Sequence, residues 1–337
     1  MKKKINHKVA VVTGGAGFIG SHMVDYLLKK NFKVNVLDNL SGGRIENIKQ
    51  HLNNTRFKFQ KLDICKLKSN HKFFRSCNYV FHFAGKGDIV PSIEQPADYL
   101  DTNIMGTVKV LEASKNAPIK KFIYAASSSC YGVAKTPTNE SHPINPLYPY
   151  AMSKYLGEKI CFHWHKLYNL PVNSIRIFNA YGPRVKTTGA YGAVFGVFFK
   201  QKLERKPFTV VGNGNQKRDF VFVSDVADAF FRASQTQISG QIFNLGSGKP
   251  NSVNSLVNIL GGKKIYLPKR PGEPNTTCAN PKKIKRILNW EPKVKFEDGV
   301  KIMLKEIKKW KSAPLWTVNR IEKATKSWFS HMKNINK

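Results

Sequence analysis

The chain has 337 residues, 41% of them hydrophobic, which is enough for a large buried core in one or two domains. No segment is predicted to be a secretory signal or a membrane span, and the five cysteines lack paired or metal-ligand spacing, so we expect a cytoplasmic protein without membrane insertion. The formal net charge of +35 comes from lysines spread along the whole chain, which predicts a solvated surface and no nucleic-acid partner.

The first predicted unit is a strand, a glycine-rich turn and a helix. Residues 8–13 are apolar and rich in valine, as in a buried parallel strand. Gly14, Gly17 and Gly20 follow at three-residue spacing, and a helix is predicted from about Ala16. The first glycine permits the tight turn, the second lets the backbone approach a pyrophosphate, and the third lets the helix pack on the strand. Because a helix N-terminus also binds phosphate, this unit predicts a dinucleotide site.

An acidic residue follows the second predicted strand. Residues 33–37 form that strand, which ends at Asp38, 18 residues after Gly20. An aspartate there accepts hydrogen bonds from ribose hydroxyls and repels a 2′-phosphate, so NAD is favoured over NADP. Arg44 nearby weakens this preference without reversing it.

A second group of chemically active residues lies mid-chain. Residues 121–126 are predicted to form a buried strand, with Ser127 at its C-terminal end, where ligands bind in an open parallel sheet. Tyr150 and Lys154 are four residues apart on one face of a predicted helix. The Lys154 ammonium is expected to lower the pKa of Tyr150, so that Tyr150 takes a proton from a substrate hydroxyl while Ser127 hydrogen-bonds the same oxygen. Together with the glycine motif, this predicts redox chemistry at a hydroxyl-bearing carbon.

These motifs resemble those of the extended short-chain dehydrogenase/reductase superfamily, and within it the nucleotide-sugar epimerases and dehydratases. The resemblance runs from about residue 5 to residue 310. It continues through the motifs Leu62-Asp63-Ile64, Phe81-His82-Phe83-Ala84-Gly85, Asn103-Ile104-Met105-Gly106-Thr107, Ser127 to Gly132, Arg176 to Pro183, Arg218 to Val223 and Arg270-Pro271-Gly272-Glu273.

The resemblance implies a role for each matching residue. The implied catalytic residues are Ser127, Tyr150 and Lys154. The implied cofactor-binding residues are Gly14, Gly17, Phe18, Ile19, Gly20, Asp38, Asn39, Asp63, Ile64, Phe83, Ala84, Gly85 and Asn103, together with Tyr150 and Lys154. The implied substrate-binding residues are Ser128, Ser129, Asn179, Arg218, Arg270 and Thr277, and no metal ligand is expected. Among these, Asn179 and the two arginines are expected to bind the substrate diphosphate.

The residues after Ser127 favour one reaction of this group. Dehydratases of the family typically carry Asp-Glu there, and decarboxylases typically carry a Glu in the second place. Ser128 and Ser129 have no carboxyl group for general acid–base catalysis, so elimination lacks its usual residues. We therefore expect an NAD-dependent 4-epimerase that oxidises the sugar transiently to a 4-keto form. A 4,6-dehydratase, a UDP-glucuronate decarboxylase and a non-catalytic NAD-binding regulator remain as alternatives.

Two further expectations come from the resemblance. Thr277 aligns with a position where a large aromatic residue tends to exclude N-acetylated sugars, so its small size favours a UDP-N-acetylglucosamine/UDP-glucose type of substrate. The helices near residues 97–116 and 150–168 pair with a second subunit in many relatives, which implies a homodimer.

The predicted architecture is α/β, a Rossmann-like doubly wound parallel sheet with a smaller C-terminal substrate domain. Residues 1–178, with about 220–248, are assigned to the NAD-binding domain, and residues 179–219 and 249–337 to the substrate domain. Strands at 220–223 and 241–245 are expected to return to the main sheet, and short helices are predicted at 190–206, 252–260 and 281–288. The amphipathic tail, residues 316–332, is expected to dock on the protein's own body.

Overall fold

A seven-stranded parallel sheet forms the centre of the computed structural model, which describes residues 7–185 and 194–332. The strands of the described chain are β1 (Val9–Thr13), β2 (Lys33–Asp38), β3 (Phe57–Lys61), β4 (Tyr79–His82), β5 (Lys121–Ser127), β6 (Val172–Ile177), β7 (Asn179–Tyr181), β8 (Phe208–Val211), β9 (Lys217–Arg218), β10 (Phe220–Phe222), β11 (Gln241–Leu245), β12 (Asn251–Ser252) and β13 (Lys264–Leu267). Across the main sheet the order is β11-β6-β5-β4-β1-β2-β3.

Helices connect and cover these strands. They are α1 (Phe18–Lys29), α2 (Ile89–Glu94), α3 (Pro96–Leu100), α4 (Gly106–Lys115), α5 (Pro149–Tyr168), α6 (Val194–Leu203), α7 (Val223–Gln235), α8 (Val253–Leu260), α9 (Lys282–Leu288), α10 (Phe296–Lys305) and α11 (Val318–Met332). A π-helical turn, Asp101–Met105, joins α3 to α4, so these three pieces follow one another without a break.

The strand order reverses beside β1, since β2 pairs with one side of it and β4 with the other. Ligands of open parallel sheets bind at such a switch point, outside the carboxyl ends of the strands. The glycine turn after β1 and Ser127 at the end of β5 both lie at that edge. The α/β prediction of a doubly wound parallel sheet is therefore confirmed.

Each face of the main sheet is covered by helices. On one face α1 and α7 pack together, with side chains such as Met23, Leu27 and Phe230 fully buried. On the other face α4 and α5 contribute Val110, Leu111 and Cys161 to a separate cluster under the sheet. Burial on both faces explains why β1 and the central residues of β5 are continuously apolar in sequence.

A second core, rich in aromatic residues, lies on the C-terminal side. It joins α6, α8 and α10 to the small sheets β8–β13 and β7–β10, around Tyr181, Phe195, Phe220 and Phe296. The expectation that residues 220–223 return to the main sheet is wrong, because β10 pairs only with β7, whereas β11 does join the main sheet beside β6. Phe220 and Phe222 face this aromatic core and Val221 faces the main core, as the two-residue period of a strand requires. The proposed division into two domains stays a prediction.

Element boundaries differ from the predicted ones by a few residues. Helix α1 begins at Phe18 rather than near Ala16, because Gly17 precedes it in an extended conformation. The predicted helices at 252–260 and 281–288 correspond to α8 and α9; that at 190–206 corresponds to α6, although residues 190–193 lie outside the described residues. Docking of the tail on the protein's own body is confirmed, since Ile321 and Trp328 of α11 are buried. No helix within residues 7–185 and 194–332 is long and apolar enough to span a membrane.

Candidate active site

The glycine turn is tightly built. Gly14 has a φ of +70°, and a Cβ added there would lie 2.6 Å from the Ala84 backbone nitrogen at the end of β4. A Cβ on Gly20 would overlap the Gly14 carbonyl oxygen, so helix α1 approaches the turn closely only because residue 20 is glycine. Gly17 caps α1 without any side-chain acceptor, which leaves the N–H groups of Phe18 and Ile19 at an uncapped helix N-terminus. The turn therefore fits a phosphate-bearing cofactor.

The acidic residue after β2 ties this turn to its neighbour. The Asp38 carboxylate accepts hydrogen bonds from the backbone N–H groups of Ala16 (3.0 Å) and Leu40 (2.8 Å). Burial raises the pKa of Asp38, and these N–H groups oppose that effect. Asn39 donates to the Asp63 carboxylate over 3.0 Å, so Asp38, Asn39 and Asp63 form one polar rim along the ends of β2 and β3.

Ser127 and Tyr150 meet at the end of β5. The Ser127 side chain lies close enough to Tyr150 to lower the Tyr150 pKa, and the Ser127 hydroxyl accepts a hydrogen bond from the Ser129 backbone N–H over 3.2 Å. Helix α5 lies close enough to β5 for this contact because Gly157 faces Tyr124, where a Cβ would overlap the phenol oxygen. Ser127 and Tyr150 are 23 residues apart in sequence, and the close packing of α5 on β5 at Gly157 brings them together.

The expected lowering of the Tyr150 pKa is not found. Burial raises the pKa of Tyr150, the Ser127 side chain lowers it, and the Asp88 carboxylate raises it further. Lys154, four residues after Tyr150 on α5, is buried, and its Nζ lies 4.4 Å from the centre of the Tyr124 ring. Burial lowers the pKa of Lys154 to about 8, while Cys161 and Glu158 oppose this effect.

The segment after β4 completes the cofactor side. Asn103, in the π-helical turn, donates to the Lys86 carbonyl (3.0 Å) and the Ser153 hydroxyl (2.9 Å) and accepts from the Lys86 N–H (2.8 Å). Asn103 is 1% exposed, so it holds the Phe83–Ala84–Gly85 segment against α5. A Cβ on Gly85 would lie 2.7 Å from Asn103 Oδ1 and 3.8 Å from Lys154 Nζ. Ile64 packs against Gly106, where an added Cβ would lie 2.6 Å from Ile64 Cδ1.

Two arginines converge on one anion on the substrate side. Arg218 Nη2 lies 2.6 Å from Glu273 Oε1, and Arg270 Nη1 lies 4.0 Å from Glu273 Oε2. The two guanidinium groups come from β9 and from the segment before α9, so only the tertiary structure brings them together. Beside them a cavity of about 530 Å³ is lined by Gly212, Gln216 and Glu273, among other residues.

Asn179 and Thr277 are also in contact. Thr277 Oγ1 donates to Asn179 Oδ1 over 3.0 Å, and Asn179 begins β7 next to β10. Ser128 and Ser129 follow Ser127 in a short 3₁₀ turn at the same sheet edge. The predicted substrate-side residues therefore border one region that extends from Ser127 to the arginine pair.

Two aromatic residues at this site were missed by sequence reasoning. The Tyr148 ring is nearly parallel to the Tyr150 ring, with ring centroids 6.4 Å apart and planes 9° apart, and the Ser129 side chain lies close enough to lower the Tyr148 pKa. Trp328 of α11, which lies 180 residues further along the chain, packs against Tyr148, and no local pattern reveals a contact at that separation. For Tyr148 the available signal was its place two residues before Tyr150.

Comparison with known proteins places the chain among nucleotide-sugar enzymes. The family model described as "NAD dependent epimerase/dehydratase family" matches residues 10–246. A putative UDP-glucose 4-epimerase of Methanocaldococcus jannaschii is 37% identical over 300 residues, which cover 86% of this chain and 95% of that relative. UDP-glucuronic acid decarboxylases of Arabidopsis thaliana are also similar, at 30–31% identity.

Solved structures show the same fold. UDP-glucuronic acid 4-epimerase from Bacillus cereus, solved with UDP-glucuronic acid and NAD, superimposes with a TM-score of 0.84 at 32% identity, covering 89% of this chain and 99% of that chain. UDP-N-acetylglucosamine 4-epimerase from Methanobrevibacter ruminantium, solved with UDP-N-acetylmuramic acid, gives a TM-score of 0.82 at 32% identity, covering 90% of this chain and 100% of that chain.

Proposed function

The chain belongs to the NAD-dependent epimerase/dehydratase family, and on that premise we propose that it interconverts the C4 epimers of a UDP-hexose through a transient 4-keto sugar. The observation that carries the proposal is the placement of the Ser127 side chain beside Tyr150 at the end of β5, where it lowers the pKa of Tyr150, together with two following serines instead of carboxylates. This arrangement supports removal and return of a hydroxyl proton, and it offers no acid–base pair for elimination.

NAD is the cofactor, as the sequence predicted, and this chain's residues fit it. The uncapped N-terminus of α1 and the Gly14 turn would hold the pyrophosphate, and the Asp38–Asn39–Asp63 rim would hold the adenosine end. Gly85 leaves room beside Lys154 on the nicotinamide side. Bound NAD would supply the hydride acceptor for oxidation at C4 of the sugar and the hydride donor for its reduction.

Tyr150 and Ser127 carry the proton at the sugar's 4-oxygen. Ser127 lies beside Tyr150 and lowers the Tyr150 pKa against the effect of burial. Lys154 lies one helical turn away and keeps its proton below about pH 8, although it is not among the groups that lower the pKa of Tyr150. Tyr150 then accepts the hydroxyl proton as the keto group forms and returns it after the sugar has turned over.

The arginine pair supplies a site for the substrate diphosphate. Glu273 already occupies the space between Arg218 and Arg270, so both guanidinium groups reach a single anion. Phosphate oxygens form the same bidentate hydrogen bonds as a carboxylate. The neighbouring cavity of about 530 Å³ would take the uridine, which leaves the sugar between the arginines and Tyr150.

For the sugar, a UDP-N-acetylglucosamine/UDP-glucose type of substrate is proposed, with UDP-glucuronate as the second candidate. Thr277 is small and its hydroxyl contacts Asn179, which supports room for an N-acetyl group at that point. The second candidate is favoured by the likeness to a UDP-glucuronic acid 4-epimerase at a TM-score of 0.84.

A homodimer is also proposed, built on the helices that carry the site. Leu100 precedes the π-helical turn and Met105 ends it, and Met152 and Leu156 are one turn apart on the adjoining α5. All four are at least one-third exposed, which leaves an apolar patch that a second copy of the chain would cover.

The decisive experiment incubates the protein with UDP-glucose, UDP-N-acetylglucosamine and UDP-glucuronate in deuterated water and follows the products by mass spectrometry and NMR. The expected product is a 4-epimer of unchanged mass without carbon-bound deuterium, because the hydride returns to the carbon it left. Tyr150→Phe should lower turnover about 1,000-fold. Loss of water or carbon dioxide, deuterium on carbon, or near-normal turnover of Tyr150→Phe would contradict the proposal.

Thr277→Tyr tests the sugar assignment. The larger side chain should remove activity on UDP-N-acetylglucosamine and largely spare UDP-glucose, because only the former needs the space. Thr277→Val is the matched control, since it removes the hydroxyl bonded to Asn179 without adding bulk. Equal loss on both sugars in Thr277→Tyr would count against Thr277 as the size-limiting residue.

A further inference from the structure

Trp328 of α11 connects the C-terminal helix to the substrate site. The indole is 4% exposed and packs with Val90, Leu147, Tyr148 and Met332 in a small cluster separate from the main cores. Its Nε1 donates to the Pro271 carbonyl over 2.8 Å. The hydrogen bond fixes Trp328 to the residue that follows Arg270, so the indole is held against the substrate-side segment.

The first contact of interest is with Arg270. The Arg270 guanidinium carbon lies 5.9 Å from the centre of the Trp328 ring, a distance at which a cation is attracted by the ring face. Arg270 also faces Glu273, which Arg218 binds at 2.6 Å. A guanidinium supported on one side by an indole has fewer rotamers available, so less entropy is lost when it binds a phosphate.

The second contact is with Tyr148. The Tyr148 and Trp328 ring centroids are 6.1 Å apart, and Tyr148 lies almost parallel to Tyr150 at 6.4 Å. Ser129, Glu273 and Arg218 lie close enough to the Tyr148 hydroxyl to shift its pKa, although burial has the largest effect on that pKa. Tyr148 therefore extends from the proton-transfer residue towards the arginine pair, along the region that a sugar would occupy.

Helix α11 contacts both α2 and the segment that follows Arg270. Ser327 donates to Glu94 of α2 over 2.9 Å, and Met332 covers Gly272, where an added Cβ would approach its Cε to 2.8 Å. The motif resemblance described above ends near residue 310, before α11 begins at Val318. The contacts of Trp328 are thus contributed by a part of this chain that lies outside those motifs.

We propose that Trp328 is a positioning residue for substrate: it holds Arg270 at the phosphate end and Tyr148 at the sugar end, so that α11 forms a fixed wall of the substrate pocket. This role rests on the proposed function, since it takes Arg270 to bind a diphosphate. Trp328 acts on binding of the nucleotide sugar and leaves NAD binding unchanged, because its contacts lie on the substrate side.

The test compares three variants of the full chain, Trp328→Ala, Trp328→Phe and Ile321→Ala. Ile321 is the matched control, because it is equally buried on α11 but packs into the aromatic C-terminal core and away from Arg270 and Tyr148. Dissociation constants for UDP and for NAD are measured by calorimetry, with kcat and KM for the epimerised UDP-hexose and the melting temperature of each variant.

Trp328→Ala is expected to weaken UDP binding and raise KM about tenfold, with kcat changed less than about threefold and NAD binding unchanged. Trp328→Phe should restore UDP binding to within about threefold of wild type, because a phenyl ring still supports both neighbours. Equal weakening of UDP binding in Trp328→Ala and Ile321→Ala, or none in either, would overturn the positioning role alone. A wild-type protein that binds NAD but not UDP would overturn the proposed function and this role with it.

Discussion

Lys154 is a residue whose burial works against the stability of the fold. It is 7% exposed, and burial lowers its pKa from 10.5 in a free lysine to about 8. Between these two values the unfolded chain binds more protons than the folded chain, so the folded state gains stability as the pH rises from about 8 towards 10.5. Below about pH 8 both states are protonated, and the folded protein bears the full cost of the buried charge.

Lys154→Met should therefore stabilise the NAD-free protein while abolishing epimerisation. The expected gain in the free energy of unfolding is about 2 kcal/mol at pH 7 and smaller at pH 10, where the wild-type lysine is neutral in the folded state. Urea unfolding at the two pH values measures it, and Lys159→Met, an exposed lysine of the same helix, is the control. Destabilisation of Lys154→Met at pH 7 would contradict the prediction, because it would show that the buried ammonium contributes net stability.

At the scale of elements, the segment after β4 is held by the π-helical turn between α3 and α4. The turn places Asn103 so that its amide bonds both Lys86 and Ser153, which joins this segment to α5. Irregular helical turns of this type occur often at functional sites. Here the turn presents an amide inward from a helix whose other residues pack on the sheet.

Gly85→Ala and Gly87→Ala form a matched pair on that segment. A Cβ at residue 85 would approach Asn103 Oδ1 to 2.7 Å, whereas one at residue 87 would have no atom within 4 Å. Gly85→Ala should displace Asn103, cost about 2 kcal/mol of stability and weaken NAD binding. Gly87→Ala should stay within about 0.5 kcal/mol of wild type. Similar unfolding free energies and NAD dissociation constants for the two variants would contradict this account of Asn103.

At the scale of the whole molecule, the apolar patch on α3–α5 sets the expected oligomeric state. Met105 is 50% exposed and Met152 is 40% exposed although both lie on helices with well-packed opposite faces. The wild-type protein is expected to sediment as a dimer, and Met105→Glu as a monomer, because a buried unpaired carboxylate is costly. Leu52→Glu, at a residue 49% exposed outside the patch, should remain dimeric. A monomeric wild type would contradict the proposed dimer.

The net charge of +35 also acts at this scale. A positive field attracts an anionic nucleotide sugar and raises its rate of encounter with the protein. In the proposed function, Arg218 and Arg270 would then bind the diphosphate of that substrate.

The order of elements along the chain was set by local sequence. Short apolar runs predict buried strands, and β1, β2 and β5 lie within one residue of their predicted ranges. The spacing of Gly14, Gly17 and Gly20 is a local property of the sequence, so it was enough to predict the glycine turn. Tyr150 and Lys154 share a helix face for the same reason, because four residues make about one turn.

What the tertiary structure alone decided are the contacts between distant segments. The environment of Tyr150 is one example: burial raises its pKa, although its sequence neighbour Lys154 predicted the reverse. The pairing of β10 with β7, the convergence of Arg218 and Arg270 on Glu273, and the contact of Trp328 with Tyr148 are others. These features depend on which surfaces remain to be covered once the main sheet has formed, and burial of apolar area is non-directional, so no local pattern specifies them.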